Sequence, residues 1–458
     1  MNPELQRNLW LEASSRRIVW AVVVQAVIYG ATLAITNQST DALAAVGVIV
    51  FGVAALIWGP RAAGRAIGGE VAMRTWDFQR LSALKPWTMT WGKLAGATSL
   101  SWLVAGVGLA IAFAEMFVKS RDPGQAVAWL VLIVAFAVLM QAGAMALALV
   151  GVRRARAEGR LATLRLTPGT LVGVMVVMWA LQHVAPFGRP IGVVGLGSLL
   201  PGFGGDGGRI EWWGLVLGKT WFAALSASVF AGWAVLASWR LMRLELQMRN
   251  SPWTWGCFVV FAALYGAGFV FSTGLSEMFA VAGAVSAACA YAAAFAEPAD
   301  RVGIRLFVDA LVRMDIRRIW AELPPVIGPV KMAAFCAVGL AVVATPPLAP
   351  ALQTEWRLMG FAALAFLLRD LGVIAYFRFG PRPGRGDLGA VLGLFLLYFA
   401  GGLAGKSLLG AEGGAIFMPT FGSLGSSLAP VSLASGLVQA AAVWFLAWSR
   451  IRKPEVSA

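Results

Sequence analysis

Runs of about twenty mostly apolar residues recur along the whole chain, and a run of that length can cross the hydrocarbon core of a bilayer as a single helix. Candidate spans fall near 18–35, 42–58, 94–116, 126–151, 170–187, 215–239, 257–273, 278–296, 333–350, 358–379, 390–409 and 429–448. Pro346, Pro347 and Pro350 must close the ninth early, because proline lacks the N–H that a helix needs. The sequence is 59% hydrophobic and 13% charged, with a mean hydropathy of +0.76. A soluble domain is about half apolar and about a quarter charged, so water is not the main solvent here. The expectation is an all-α polytopic membrane protein with about 12 transmembrane helices and no soluble catalytic domain.

The net charge of +15 does not point to nucleic acid, which needs the charges gathered on one folded surface. Here they sit in short loops, and their placement orients the chain, because loops rich in Lys and Arg stay cytoplasmic. All but eight of the 37 basic residues lie in the two tails and in the loops after the even-numbered spans. The exceptions are Lys119, Arg121, Arg189, Arg209, Lys219, Arg357, Arg369 and Lys406. Both termini are therefore expected in the cytoplasm. Met1 to Arg17 is polar and amphipathic, without the apolar core and cleavage site of a signal peptide. Cys257, Cys289 and Cys336 lie in apolar runs without zinc-type spacing and read as small core residues.

One plan recurs in the two halves, 1–250 and 251–458: a tight pair of spans, a long basic loop (59–93 and 297–332), two more spans, a short basic loop and a final pair. Leu200, Pro201, Gly202, Phe203 and Gly204 echo Met418, Pro419, Thr420, Phe421 and Gly422. This predicts two six-helix repeats, an arrangement that suits transporters. The Gly/Pro-rich stretches 188–214 and 405–428 are too irregular to face lipid, where unpaired backbone groups are costly. They are expected at the outer interface, as surface loops or folded partly back into the protein.

The loop after span two is the most informative segment. Glu70, Arg74, Thr75, Trp76, Asp77, Arg80, Leu81, Pro86, Gly92 and Lys93 stand between two spans. With Asn2, Pro3, Glu4, Leu5, Arg7 and Leu11 ahead of the first span, this pattern resembles the ABC type-2 exporter permease family, in which an amphipathic elbow helix precedes the first span and this loop meets the ATPase. Glu297, Asp300, Arg301 and Arg305 open the equivalent loop of the second half, with Pro324, Pro325 and Lys331 near its end. The resemblance implies a membrane-spanning permease in the bacterial inner membrane, acting as one fused chain or as a homodimer. Its partner would be a separate ABC ATPase subunit, in two copies, that uses ATP and Mg, this chain itself binding no cofactor. Independently of the family, Val71, Phe78, Leu81 and Leu84 are apolar at helical spacing between Arg74, Asp77 and Arg80. Such a segment can lie on a membrane or enter a partner's groove. A solvated basic loop is the plain alternative.

A phosphate-cradling loop needs Gly, four residues, then Gly-Lys-Ser/Thr. The stretches from Gly214 to Thr220 and from Gly401 to Ser407 both fall one residue short. His183 is the only histidine, which excludes a histidine-based metal site or triad. Arg369 and Asp370 lie deep in span ten, where ionisable groups face a bundle interior or a cavity. They are candidates for a translocation path, with a structural ion pair as the alternative. Two other classes compete with the exporter. An ion-coupled carrier of the major facilitator type is suggested by Asp300, Arg301, Val302, Gly303 and Arg305 after span eight, but its usual preceding Gly is Ala296 and both loops are longer than its tight turns. An intramembrane enzyme acting on lipid would need clustered His, Asp or Glu, and only Arg369 and Asp370 stand out.

Overall fold

The computed structural model describes residues 2–37, 39–82, 84–119, 122–157, 208–343, 350–380, 386–419 and 428–452. Among these, ten helices are long and apolar enough to cross a membrane, so the chain is an all-α polytopic membrane protein. The expected span 170–187 and the echoed residues Leu200 to Gly204 and Thr420 to Gly422 lie outside the described residues, as does His183. The ninth expected span is α13 below, only 17 residues long.

The chain divides into two compact units. Unit 1 comprises Met1–Arg165, Leu199–Ile210 and Leu217–Asn250, and unit 2 comprises Leu166–Ser198, Glu211–Val216 and Ser251–Ala458.

Unit 1 opens with α1 (Pro3–Glu12), capped by Asn2, whose side chain accepts from the N–H groups of Glu4 and Leu5. The spans α2 (Ser15–Ile35) and α3 (Thr40–Ala72) follow. Then come the short α4 (Trp76–Arg80), α5 (Pro86–Ala97), and the spans α6 (Ser99–Lys119), α7 (Pro123–Ala157) and α8 (Lys219–Glu245). Residues 215–218, expected inside a span, instead form the second strand of a hairpin, β1 (Arg209–Trp212) and β2 (Leu215–Gly218).

At 1.5 Å per residue, α3 and α7 are each about 50 Å long, well beyond the roughly 30 Å hydrocarbon core. Both therefore run out of the membrane at their basic ends, and much of the loop expected at 59–93 is a continuation of α3. Helices approach closely where their facing residues are small: Ala63, Ala142 and Ala227 are buried, and the Ser238 hydroxyl donates to the Ala142 carbonyl at 2.8 Å. A π-helical stretch, Gly52–Trp58, interrupts α3. The Ala55 carbonyl within it accepts from Gln141 Nε2 of α7 at 3.1 Å, and Gln141 Oε1 accepts from Trp102 Nε1 of α6 at 2.8 Å.

Unit 2 contains α9 (Trp253–Ala267), α10 (Leu275–Ala296), α11 (Arg301–Val312), α12 (Ile316–Ala321), α13 (Ile327–Val343), α14 (Pro350–Arg378), α15 (Gly386–Phe417) and α16 (Ala429–Ile451). α15 is not one straight rod. It holds a π-helical stretch at Leu396–Gly401 and breaks at Gly410, whose φ of 66° and ψ of −146° are open to glycine alone. There the chain doubles back: a Cβ on Gly413 would strike the carbonyl of Gly405, and one on Gly401 would meet the Phe417 ring. The described part of the Gly/Pro-rich stretch 405–428 thus folds back into the protein. Gly413→Val drives a branched side chain into this backbone contact. A fall in stability of about 1–3 kcal/mol is expected, read as a lower midpoint of thermal unfolding in detergent; an unchanged midpoint would show that the two glycines do not touch.

Candidate functional site

The residues of the first basic loop converge at the basic end of unit 1 on one buried ammonium. Lys93 of α5 is fully buried, with Nζ 2.8 Å from Glu4 Oε1 of α1, 2.7 Å from Glu70 Oε2 at the end of α3 and 2.7 Å from Gln79 Oε1 of α4. Arg7 of α1 is ion-paired with Glu70 and lies 3.2 Å from Glu4. The buried Lys93 and the half-exposed Arg7 thus balance two buried carboxylates, which is what makes burying them tolerable. α1 lies directly on α5: Gly92 is buried, and a Cβ on it would come within 2.8 Å of Glu4 Cβ.

A second charge group adjoins the first. Trp76 is buried, with Lys93 Nζ 5.4 Å from its ring centre, and its Nε1 donates to Glu245 Oε2 of α8 at 3.2 Å. Glu245 is itself buried, pairs with Arg156 of α7 at 2.6 Å, and offers its carbonyl to Arg80 Nε at 2.6 Å. Arg80 also reaches Asp77 at 3.2 Å. The loop between α3 and α5 is therefore clamped from below by three long helices.

The expected single amphipathic helix from Glu70 to Leu84 does not form. Arg74 adopts a left-handed conformation (φ 59°), and the N–H groups of Arg74 and Thr75 close onto the carbonyls of Val71 and Glu70 at 3.1 and 2.9 Å. This ends α3 as a left-handed helix cap and starts α4 in a new direction. The turn divides the expected docking residues into two sets. Glu70, Trp76, Gly92 and Lys93 face inward and brace, whereas Arg74, Thr75, Asp77 and Leu81 are exposed, with Arg80 and Pro86 half-buried between them. Met73, Phe78 and Leu81 project at 69%, 78% and 86% exposure.

The same backbone device stands in unit 2. Met314 has φ 53°, and the N–H groups of Met314 and Asp315 close onto Leu311 and Ala310 at 3.1 and 3.0 Å before α12 begins. The docking residues expected there also turn inward or cap. Asp300 caps α11 by accepting the Gly303 N–H at 2.9 Å, and Arg301 donates to the Phe379 carbonyl at 2.8 Å. Arg305 Nε donates to Ile451 at 2.9 Å, and the Glu297 carbonyl accepts from Arg378. Val302, Leu306, Leu311 and Val312 are exposed apolar residues on α11, and the turn after it exposes Met314 beside the charged Arg313.

Arg369 and Asp370 are brought together inside unit 2, both buried. Arg369 Nε donates to Asp370 Oδ1 at 2.8 Å, and Asp370 Oδ2 accepts from the hydroxyls of Tyr291 (α10) and Tyr398 (α15) at 2.5 and 2.6 Å. Arg369 Nη1 donates to the Phe417 carbonyl at 2.9 Å and to Gln439 Oε1 of α16 at 3.0 Å, while Gln439 Nε2 donates to the Ile416 carbonyl at 2.6 Å. Two carbonyls at the end of the folded-back helix, which has no further turn to accept from, are thereby satisfied. Arg369 is also sandwiched by Phe366 and Tyr398, their ring centres 4.5 and 4.6 Å from the guanidinium.

Sequence reading missed Glu245, Tyr291, Tyr398 and Gln439. Each carried a signal: Glu245 is an acid at the end of a basic helix, Gln439 is a polar residue within a span, and the two tyrosines are among only five in the chain. Among the described residues, no group of three or more His, Cys, Asp or Glu could hold a metal ion.

Burial pushes the Glu4 carboxyl up, but the Lys93 charge and hydrogen bond, the Arg7 charge and the Asn8 amide outweigh it and hold the group below its ordinary 4.5. A lowered carboxyl stabilises the folded form fully above its unfolded value and loses that contribution as pH falls through the folded one. α1 is therefore expected to be protected from proteolysis at neutral pH and to become cleavable only in acid, as pH falls from 4.5 through the lowered value of Glu4. Lys93→Met, which leaves two buried carboxylates with Arg7 as their remaining counter-charge, should cost about 3–5 kcal/mol and expose α1 already at pH 7; protection equal to wild type in that variant would show that Lys93 is not the anchor.

Comparison with models of protein families, with curated proteins and with solved structures finds no match.

Proposed function

We propose that the chain is the membrane-spanning permease subunit of an ATP-driven exporter of the ABC type-2 kind, in a bacterial inner membrane, with both termini and the basic ends of the spans in the cytoplasm. ATP and Mg are used by a separate ATPase subunit, in two copies, and this chain performs no covalent chemistry. Twelve spans in two six-helix repeats, acting as one fused chain or as a homodimer, complete the reading.

One observation carries it. Phe78, on a helix of five residues, and Leu81, the residue that caps its C-terminal end, stand largely exposed, while Trp76 and Arg80 of that helix are tied to Glu245 beneath it. A freely solvated loop has no reason to combine buried bracing with a bare apolar tip. A partner's groove gives the tip a place to bury, and the bracing passes the partner's movement to α3, α7 and α8.

The expected docking set is accordingly refined: Arg74, Asp77 and Leu81 offer surface, and Glu70, Trp76, Gly92 and Lys93 hold it in place. In the full chain purified from its native membrane, Phe78→Asp with Leu81→Asp should release a co-purifying ATPase subunit, lowering its recovery at least about tenfold while the thermal midpoint stays unchanged. Undiminished recovery, or no ATPase from the wild type, sinks the proposal.

The ion-coupled carrier is the second reading, and Asp370 is the observation that favours it, being a carboxylate within the membrane. Its two tyrosines, Arg369 and the folded-back helix favour a structural role. Asp370→Asn is expected to lower stability and to leave any transport without a new dependence on the proton gradient. Intact, folded protein that loses proton-driven uptake would favour the carrier instead.

A further inference from the structure

The first span is held to unit 1 by little. α2 is exposed along most of its length, and Gln25 is its one buried residue, with Nε2 donating to the Val104 carbonyl of α6 at 2.7 Å. Between α2 and its neighbours α3 and α6 lies a crevice of about 1010 Å³, at the upper end of small-molecule sites. Its walls are apolar along α2 (Trp20, Val24, Ile28) and α3 (Ile49, Val50, Val53). From Ser14 to Ile28 it covers about 21 Å along the helix, deeper than the roughly 15 Å of hydrocarbon in one leaflet.

One end is polar and positive. Ser14, Arg16 and Arg17 line it. Arg17 is paired with Glu12 at 2.9 Å, whereas Arg16 is exposed and has no ion-pair or hydrogen-bond partner among the described residues. The mouth therefore keeps a net positive charge where the groove meets the headgroup level.

We infer that this crevice binds one anionic phospholipid from the leaflet on the basic side, its acyl chains between α2 and α3 and its phosphate at Arg16. Length, apolar walls and a positive mouth match such a lipid at every level. A second copy of the chain fits less well, because a two-fold contact through this face would bring the uncompensated Arg16 charges of both copies to the same end of the interface. The bound lipid fills the space beside α2 and seats it against the rest of unit 1. This inference is independent of any ATPase partner.

The test uses the full chain in mild detergent, with dioleoyl phosphatidylglycerol or dioleoyl phosphatidylcholine added and retained lipid counted by native mass spectrometry. The wild type should retain the anionic lipid at least about fivefold over the zwitterionic one, the scale of one basic residue at a membrane surface. Arg16→Glu should abolish that preference. Val50→Trp, which fills the crevice and leaves Arg16 in place, should lower retention of the anionic lipid as well. Equal retention of both lipids by the wild type, or undiminished preference in Arg16→Glu, overturns the inference. Loss in Arg16→Glu without loss in Val50→Trp overturns it too, by placing the lipid on the surface and outside the groove.

Discussion

A backbone carbonyl or a charged side chain inside hydrocarbon has no water to turn to, and each one left unpaired costs several kcal/mol. Much of what is irregular in unit 2 follows from that constraint. Once Gly410 turns α15 back on itself, the new helix ends with carbonyls to which no further turn donates. Arg369 and Gln439 supply the donors. Arg369 then needs a counter-charge, which Asp370 provides, and the second oxygen of Asp370 needs donors, which Tyr291 and Tyr398 provide. The sequence of needs runs from one glycine to two tyrosines on different helices.

The same logic at the basic end of unit 1 gives a different product. There the charges are not capping a helix end; they gather six elements around Lys93 and Glu245. Oppositely charged groups buried together are weak contributors to net stability, because desolvation offsets most of their attraction. Their value is in specificity. With Lys93 bonded to α1, α3 and α4, and Glu245 to α4 and α7, the short loop has few alternative seats, and any displacement would leave a charge stranded.

How much of this was legible depends on distance along the chain. Ten spans among the described residues were legible, since hydropathy over about twenty residues is a local property; the helix Ser15–Ile35 begins three residues before its expected start at 18 and ends with it at 35. The extension of α3 to Ala72 was not, because Gly59 to Ala72 has small and charged residues that read as a loop until a neighbouring helix covers Ala63 and Ile67. The amphipathic pattern from Glu70 to Leu84 misled for a related reason: periodicity does not see a left-handed residue, and nothing in the side chain of Arg74 announces one. Lys93 and Glu4 stood in the sequence as parts of a motif and of an elbow helix. That they are one ion pair, 89 positions apart, is a tertiary fact.

The division of labour within α4 bears on what such a loop can transmit. A solvated loop absorbs a push in its own flexibility. A loop whose backbone closes on α3 through the Thr75 N–H, and whose Trp76 and Arg80 end on α8, cannot move without moving those helices or breaking buried charge pairs. Force applied at Phe78 and Leu81 is therefore delivered to the roots of the spans, and the apolar tip and the ionic base act as the two ends of one lever. If a partner docks at this tip as proposed, weakening the tip should cost its affinity alone, whereas weakening the base should cost coupling even where affinity survives, because the partner would still bind to something that no longer pulls.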